Sequence, residues 1–126
     1  HFREVVKWLH QRGLQLAADT KDLYVLSMRK HIRKGRDEYF LDRLLSAAII
    51  EARGCERFAL IADALPAGGL KSFYNAIAKS EARHYHLFLD LARRYFAEEL
   101  VNQRLDEWLT IEAQTVEQLP ITAALH

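Results

Sequence analysis

Glu51 is a residue whose type and setting suit metal chemistry. It lies within AAIIEARGCERF, residues 47–58, directly after an apolar run. In a helix, residues three and four positions apart share a face, and most of those around Glu51 are apolar. A carboxylate buried there alone would lose on the order of several kcal/mol of solvation free energy. We therefore expect a partner opposite Glu51. The helix face in question comprises Leu44, Ala47, Ala48, Glu51, Cys55 and Phe58.

Glu81 and His84 form the second part of this pattern. They belong to SEARHYH, and a Glu-x-x-His spacing places both side chains on one face of a helix. LPAGG, residues 65–69, predicts a tight turn between two long helices, which would bring Glu51 opposite this pair. Two carboxylates would repel each other there unless a cation lies between them. The sequence therefore predicts a metal site across a helical hairpin.

Iron or manganese is the metal that this donor set favours. Carboxylate oxygens and imidazole bind either ion and leave coordination positions open for oxygen. Glu from one helix and Glu-x-x-His from its neighbour form half of a di-iron carboxylate site. By itself, Glu-x-x-His also occurs as a surface pair or as a histidine satisfied in a core. The apolar setting and the register with Glu51 favour the metal, whereas Glu56 is expected to pair with an arginine.

The elements that must position these residues are helices. Pro and Gly are scarce among the 126 residues, and Ala, Leu, Glu and Arg dominate long segments, so an all-α fold is predicted. The length favours a single domain, residues 1–126. We expect Leu23 and Leu26 to face inward, and we expect the last helix to carry Leu105, Trp108, Leu109 and Val116. The first predicted helix ends near Gly13, and the second spans residues 22–32. The third runs from an Asp37 cap to about Leu65. The fourth covers residues 70–96 and the fifth covers residues 98–118.

The charge balance and cysteine content limit the classes of function. Lys and Arg number 18 against 17 Asp and Glu, so the overall charge does not indicate a nucleic-acid partner. Cys55 is the only cysteine, which excludes an intramolecular disulfide and makes the reducing cytoplasm the expected location. The apolar runs are shorter than the roughly 20 residues of a membrane span. We expect a cytoplasmic protein that does not enter the membrane.

One stretch is nevertheless locally basic. MRKHIRKGR, residues 28–36, concentrates positive charge that suits the phosphate backbone of RNA. A solvated helix end and loop is the alternative interpretation of such a charge cluster. The candidate RNA-binding residues are Arg29, Lys30, Arg33, Lys34 and Arg36.

Two segments of the chain carry a family resemblance. DRLLSAAIIEARGCERFALIADAL, residues 42–65, and SFYNAIAKSEARHYHLFLDLA, residues 72–92, resemble the tRNA hydroxylase family called MiaE. The members of that family carry Ile/Leu-Glu-Ala-Arg-x-Cys-Glu-Arg-Phe and Ser-Glu-Ala-Arg-His in this order. The resemblance is densest over residues 40–92. It implies a ferritin-like four-helix bundle, here without its first helix and part of its second, with an additional C-terminal helix.

The resemblance also implies a reaction and its cofactors. The expected centre is non-haem di-iron, with two iron ions, molecular oxygen as co-substrate and a reductase or ferredoxin-type protein as external electron donor. The expected reaction is hydroxylation of the isopentenyl side chain of a hypermodified adenosine beside the tRNA anticodon, by a monomer or small oligomer. A ferritin-like iron-binding or peroxide-scavenging bundle without an RNA substrate stays open as the alternative.

The resemblance assigns the ligands residue by residue. Glu51, Glu81 and His84 match the second helical pair, and His1, followed by Phe2, matches the end of the Glu-x-x-His of the first pair. Two of four expected carboxylates are thus assigned, so the chain is interpreted as a C-terminal portion of a longer protein and its own activity is left open. The candidates for orienting the ligands, with plain ion pairs as the alternative, are Arg53, Arg57, Arg83 and Glu112.

Overall fold

The structure, a computed structural model, describes residues 2–13 and 22–120. Within these ranges it consists of helices, turns and loops, and no strand is present, so the all-α prediction is confirmed. The five helices are α1 (Phe2–Gln11), α2 (Leu23–Arg29), α3 (Arg36–Ala64), α4 (Gly69–Tyr95) and α5 (Glu98–Gln118).

The helices α3 and α4 form the predicted antiparallel hairpin. They are the two longest elements, of 29 and 27 residues, and they pack against each other more extensively than any other pair. Gly68 has φ 150°, a backbone conformation that favours glycine, and it allows the tight turn into α4. The Lys71 ammonium closes the turn by donating a hydrogen bond of 2.9 Å to the Ala62 carbonyl oxygen.

The start of α3 differs from the prediction. Asp37 was expected to cap this helix, but the helix begins at Arg36, and Gly35 is the N-cap without a side-chain hydrogen bond. Asp37 instead lies in the first turn. A carboxylate there still interacts favourably with the positive end of the helix dipole.

The core lies between the hairpin and the two helices α2 and α5, which pack on one side of it. Burial of the apolar side chains in this core stabilises the fold by about 25 cal/mol for each Å² of apolar surface removed from water. The fully buried large apolar residues are Tyr24, Met28, Leu41, Leu45, Val101 and Trp108.

Two leucine residues of α2 that the sequence predicts in the core lie at the surface. Leu23 and Leu26 are 52% and 37% exposed, because α2 turns Tyr24 and Met28 toward the core instead. Leu109 and Val116 of α5 are 50% and 36% exposed. The buried face of α5 contains polar residues, and a pattern of apolar residues does not predict their burial. The buried residues of α5 are Val101, Arg104, Trp108, Glu112 and Thr115.

Among the helices of the described ranges, none combines the length and the apolar character that crossing a membrane requires.

Candidate metal centre

The antiparallel arrangement of α3 and α4 brings Glu51, Glu81 and His84 together. One possible ligand atom from each side chain lies within 4.8 Å of the other two. Both glutamates are half-buried and His84 is exposed. The three residues predicted to converge from their spacing are therefore neighbours in space, at a partly solvated face of the hairpin.

The electrostatics of this cluster suit a cation. His84 Nδ1 lies 3.8 Å from Glu51 Oε2, so the imidazole faces the carboxylate across the hairpin. Burial raises the pKa of Glu81 above its ordinary value, and the nearby His84 offsets part of this effect. A divalent cation between the carboxylates would favour their ionised form and offset the cost of burial. Two carboxylates and an imidazole are donors that suit iron or manganese.

Gly54 borders the cluster on α3, one helical turn after Glu51. A Cβ atom placed on Gly54 would lie 3.7 Å from Oε2 of Glu81, an ordinary van der Waals contact. Further along the hairpin, the rings of Phe58 and Tyr74 pack with their centroids 5.9 Å apart. The cluster of Glu51, Glu81 and His84 is thus bordered at Gly54 by a close approach of α3 and α4. Toward the turn it is bordered by the ring contact of Phe58 and Tyr74.

The remaining predicted metal ligand, His1, lies outside the described residues. Cys55, which belongs to the same helix face as Glu51, is half-buried and has a free thiol.

Arg53 and Glu112 form an ion pair between α3 and α5. Arg53 Nε donates to Glu112 Oε2 at 2.9 Å, and Arg53 Nη2 donates to Glu112 Oε1. Burial would raise the pKa of Glu112, but the hydrogen bonds from Arg53 and Tyr24 outweigh it and lower that pKa. Arg53 Nη1 also lies 3.6 Å from Glu56 Oε2, which confirms the predicted pairing of Glu56 with an arginine.

Tyr24 completes this buried cluster from α2. Its hydroxyl donates a 2.8 Å hydrogen bond to Glu112 Oε2. Burial and the neighbouring carboxylate raise the pKa of Tyr24 well above its ordinary value, so the hydroxyl remains protonated and acts as a donor. The cluster therefore joins α2, α3 and α5 through polar contacts, and it includes Arg53, two residues after Glu51.

The other two arginines proposed to orient the ligands occupy different settings. Arg57 is half-buried and its positive charge contributes to the lowered pKa of Glu112. Arg83 is exposed on α4. Their roles stay predictions.

The basic segment, defined as residues 29–36, contains exposed and paired cations. Its exposed members are Arg29, Lys30, Lys34 and Arg36, called the four exposed cations below. Arg33 differs from them because its guanidinium binds Asp42, with Nε 3.0 Å from Oδ2 and Nη2 3.1 Å from Oδ1. The charge cluster seen in the sequence is therefore not uniform in its contacts.

Asp42 is a buried residue that the sequence pattern does not predict as part of a site. Its side chain is fully buried, and Arg104 of α5 binds it through Nε at 2.7 Å and Nη2 at 2.9 Å. The Trp108 indole donates a further hydrogen bond of 3.1 Å. An aspartate at an apolar helix position, within LDRLL, was the available signal. Its partners lie too far along the chain for a local pattern to identify them.

Comparisons with known proteins identify relatives of this chain. The chain is 34% identical over 116 residues to a tRNA 2-(methylsulfanyl)-N(6)-isopentenyladenosine(37) hydroxylase of Salmonella typhimurium, covering 92% of this chain and 42% of that protein. It is 37% identical over 95 residues to the protein of the same name from Pseudomonas putida, covering 75% of this chain and 46% of that protein. The chain therefore spans less than half the length of these curated relatives.

A solved structure has the same arrangement of helices. It is described as protein 43 with aldehyde deformylating oxygenase activity from Synechococcus. The superposition has a TM-score of 0.88 at 31% sequence identity, and it covers 99% of this chain and 61% of that one. The prediction of a ferritin-like helical bundle is thereby confirmed.

A family model ties these likenesses to the whole chain. The model described as tRNA-(MS2IO6A)-hydroxylase (MiaE) matches residues 1–126, and the hairpin segments that contain Glu51, Glu81 and His84 lie inside the match. The chain belongs to the MiaE family of tRNA hydroxylases.

Proposed function

We propose that the chain is part of an oxygen-dependent di-iron enzyme that hydroxylates the isopentenyl side chain of the hypermodified adenosine beside the tRNA anticodon. Residues 1–126 would form one domain of that enzyme. The names of the Salmonella and Pseudomonas relatives support the reaction. The observation in this structure that carries the proposal is the convergence of Glu51, Glu81 and His84 within 4.8 Å.

Iron is the metal that we assign to this cluster. Glu51 and Glu81 would supply carboxylate oxygens and His84 an imidazole nitrogen, and His1 completes the proposed ligand set. Bound iron supplies the oxygen activation that attack on an unactivated C–H bond requires. Among the described residues, two half-buried carboxylates lie beside one imidazole, and this supports a cation here.

The residues around the cluster would orient the ligands. The Arg53–Glu112 pair joins α3 to α5 close to Glu51. This contact would fix the rotation of α3 about its axis at the position of Glu51. Polar groups that hold ligand-bearing elements in one orientation preserve the geometry of a metal site. We therefore assign Arg53 and Glu112 to positioning α3.

The four exposed cations of the basic segment would bind the phosphates of tRNA. Such contacts are electrostatic and position the substrate without reading its sequence. An adenosine in the anticodon loop is single-stranded, so the enzyme needs a pocket and a basic approach rather than an opened duplex. A reductase or ferredoxin as electron donor, a cytoplasmic location and a monomer or small oligomer belong to the same proposal.

The alternative, a ferritin-like iron-storage or peroxide-scavenging bundle, is not favoured by the relatives, which are both named as hydroxylases. Size determination in solution separates the two functions. A storage protein assembles into a closed shell, whereas a tRNA enzyme remains a monomer or small oligomer.

Metal analysis of Glu81→Ala and His84→Ala tests the site. We expect each substitution to reduce bound iron strongly in the full-length protein. The matched controls are Asp90→Ala and His86→Ala, which remove an exposed carboxylate and an exposed imidazole from the same helix and should retain the iron. Iron content that survives both ligand substitutions would refute the assignment. Scoring hydroxylated adenosine in tRNA from cells that lack the protein then tests the substrate.

A further inference from the structure

The basic segment connects two helices through a short stretch without regular structure. Residues 30–35 lie between the end of α2 and the start of α3 and adopt turns and extended backbone. Cations on a loop of this kind bind a polyanion more tightly when the loop is already ordered, because ordering it on binding costs free energy. The contacts that order this loop therefore bear on RNA affinity.

Arg33 holds the middle of the segment to the bundle by two kinds of contact. Its backbone N–H donates to Asp42 Oδ2 at 2.9 Å, and its guanidinium donates to both oxygens of the same carboxylate. Arg104 reinforces the attachment, since its Nη2 donates to the His31 carbonyl oxygen at 3.3 Å while also binding Asp42. Backbone and side chain of the segment are thus both bound to one buried carboxylate.

The charge on Asp42 is stable at neutral pH. Burial by itself would raise the pKa of this carboxyl group, but hydrogen bonds from Arg104, Arg33 and Trp108 outweigh burial and lower the pKa below its ordinary value. If the Arg33 guanidinium left Asp42 to bind a phosphate, the buried carboxylate would lose part of the positive charge that offsets the cost of its burial. Arg33 is therefore poorly suited to contact RNA, although it lies within the charge cluster.

We propose, on the basis of the RNA substrate proposed above, that Arg33 and Asp42 are positioning residues for RNA binding. They hold the basic segment in the conformation in which its four exposed cations meet the phosphate backbone together. Neither residue contacts the RNA. This role separates Arg33 from its neighbours, which a count of positive charges treats alike.

The substitution Asp42→Asn separates positioning from net charge by the sign of its effect. It removes a negative charge and weakens the hold on Arg33, so RNA would bind more tightly if net charge alone mattered. If positioning matters, the loosened segment binds RNA more weakly, by about tenfold, because the loop must be ordered during binding. The slope of log affinity against log salt also becomes shallower, because fewer phosphates are neutralised together.

A second variant tests the same role without a change of charge, and it leaves the buried ion pair between Asp42 and Arg104 intact. Arg33→Lys keeps the positive charge and leaves Asp42 bound to Arg104, but it loses the planar fork that binds both carboxylate oxygens. We expect weaker RNA binding and faster amide exchange at residue 33. The matched control is Arg94→Lys, at an exposed arginine near the end of α4, which should bind RNA as the unaltered protein does.

The probe is a fluorescently labelled RNA hairpin with an unmodified single-stranded loop, titrated with full-length protein at several salt concentrations. Weaker binding and a shallower salt slope for Asp42→Asn and Arg33→Lys, but not for Arg94→Lys, support the positioning role. Unchanged or tighter binding by Arg33→Lys overturns it and leaves the proposed hydroxylase function standing. If the unaltered protein does not bind the hairpin, both the positioning role and the proposed RNA substrate are overturned.

Discussion

Gly54 lies where α3 and α4 approach each other, one turn after Glu51 and against the side chain of Glu81. The space there admits a methyl group at ordinary contact distance from Glu81. At the scale of single residues, the site thus combines three donor side chains with a small residue that leaves room for one of them.

Gly54→Ala should stabilise the chain, because alanine loses less backbone entropy than glycine in a helix interior. The expected gain in the free energy of unfolding is about 0.5–1 kcal/mol. Gly54→Leu should instead displace Glu81 and reduce iron binding. Thermal unfolding and metal analysis of the two variants check this, and an unaltered iron content in Gly54→Leu would contradict the placement of Glu81.

Tyr24→Phe should lower the free energy of unfolding by about 1.5 kcal/mol, since the substitution removes a hydrogen bond to an ionised carboxylate. Glu112 keeps its partner Arg53, so the cluster remains paired. Chemical denaturation measures the loss. As a control, Tyr39→Phe changes an exposed tyrosine on α3 and should leave stability unaltered; an equal loss in both variants would argue against the buried hydrogen bond.

At the scale of helices, two buried carboxylates on different elements organise the packing. Asp42 of α3 receives Arg104 and Trp108 from α5 and Arg33 from the basic segment. Glu112 of α5 receives Arg53 from α3 and Tyr24 from α2. Because buried charges require specific partners, these contacts determine which faces of α2 and α5 turn inward.

Stability should depend on pH through Asp42. Its pKa in the folded chain lies below its ordinary value of 3.8, so the ionised carboxylate contributes stability above that pH, and this contribution is lost as the pH falls through the folded pKa. At pH 7, Asp42→Asn should cost about 3 kcal/mol. The difference between the variant and the unaltered chain should shrink below about pH 4.

Denaturant unfolding at pH 7 and at pH 3 measures this difference. Asp90→Asn, at an exposed aspartate of α4, is the matched control and should have little effect at either pH. A stability difference for Asp42→Asn that is the same at both values would show that ionisation of Asp42 does not contribute to the fold.

At the scale of the whole molecule, the hairpin carries clusters of charged side chains that differ in burial. The side that packs against α2 and α5 holds the core and both buried ion-pair clusters. The cluster of Glu51, Glu81 and His84 retains partial exposure. Metal bound there adds an interaction to the folded chain that the unfolded chain lacks, so metal binding and stability are linked.

Ferrous iron added without oxygen should therefore raise the melting temperature. At a metal concentration of about 100 times Kd, linkage predicts about 2.7 kcal/mol of added stability, which corresponds to several degrees in a domain of this size. His84→Ala should abolish the shift, and His86→Ala should preserve it. A shift of equal size in His84→Ala would place the bound metal elsewhere on the protein.

The local sequence determined the helices, the hairpin and the three convergent donors. Helical periodicity and the LPAGG turn depend on neighbouring residues, and their register brings Glu51 opposite Glu81 and His84. The three contacts were therefore predictable once the turn was located, because a hairpin fixes the pairing of its two helices.

Only the tertiary structure decided the orientation of α2 and α5 and the partners of their polar residues. Asp42 and Arg104 are 62 positions apart, and Tyr24 and Glu112 are 88 positions apart. Leu23 and Leu26 face outward, while Tyr24 points inward and donates its hydroxyl hydrogen bond to Glu112. A local apolar pattern does not contain this information, since the free energy of burying a charge depends on partners that folding brings from elsewhere in the chain.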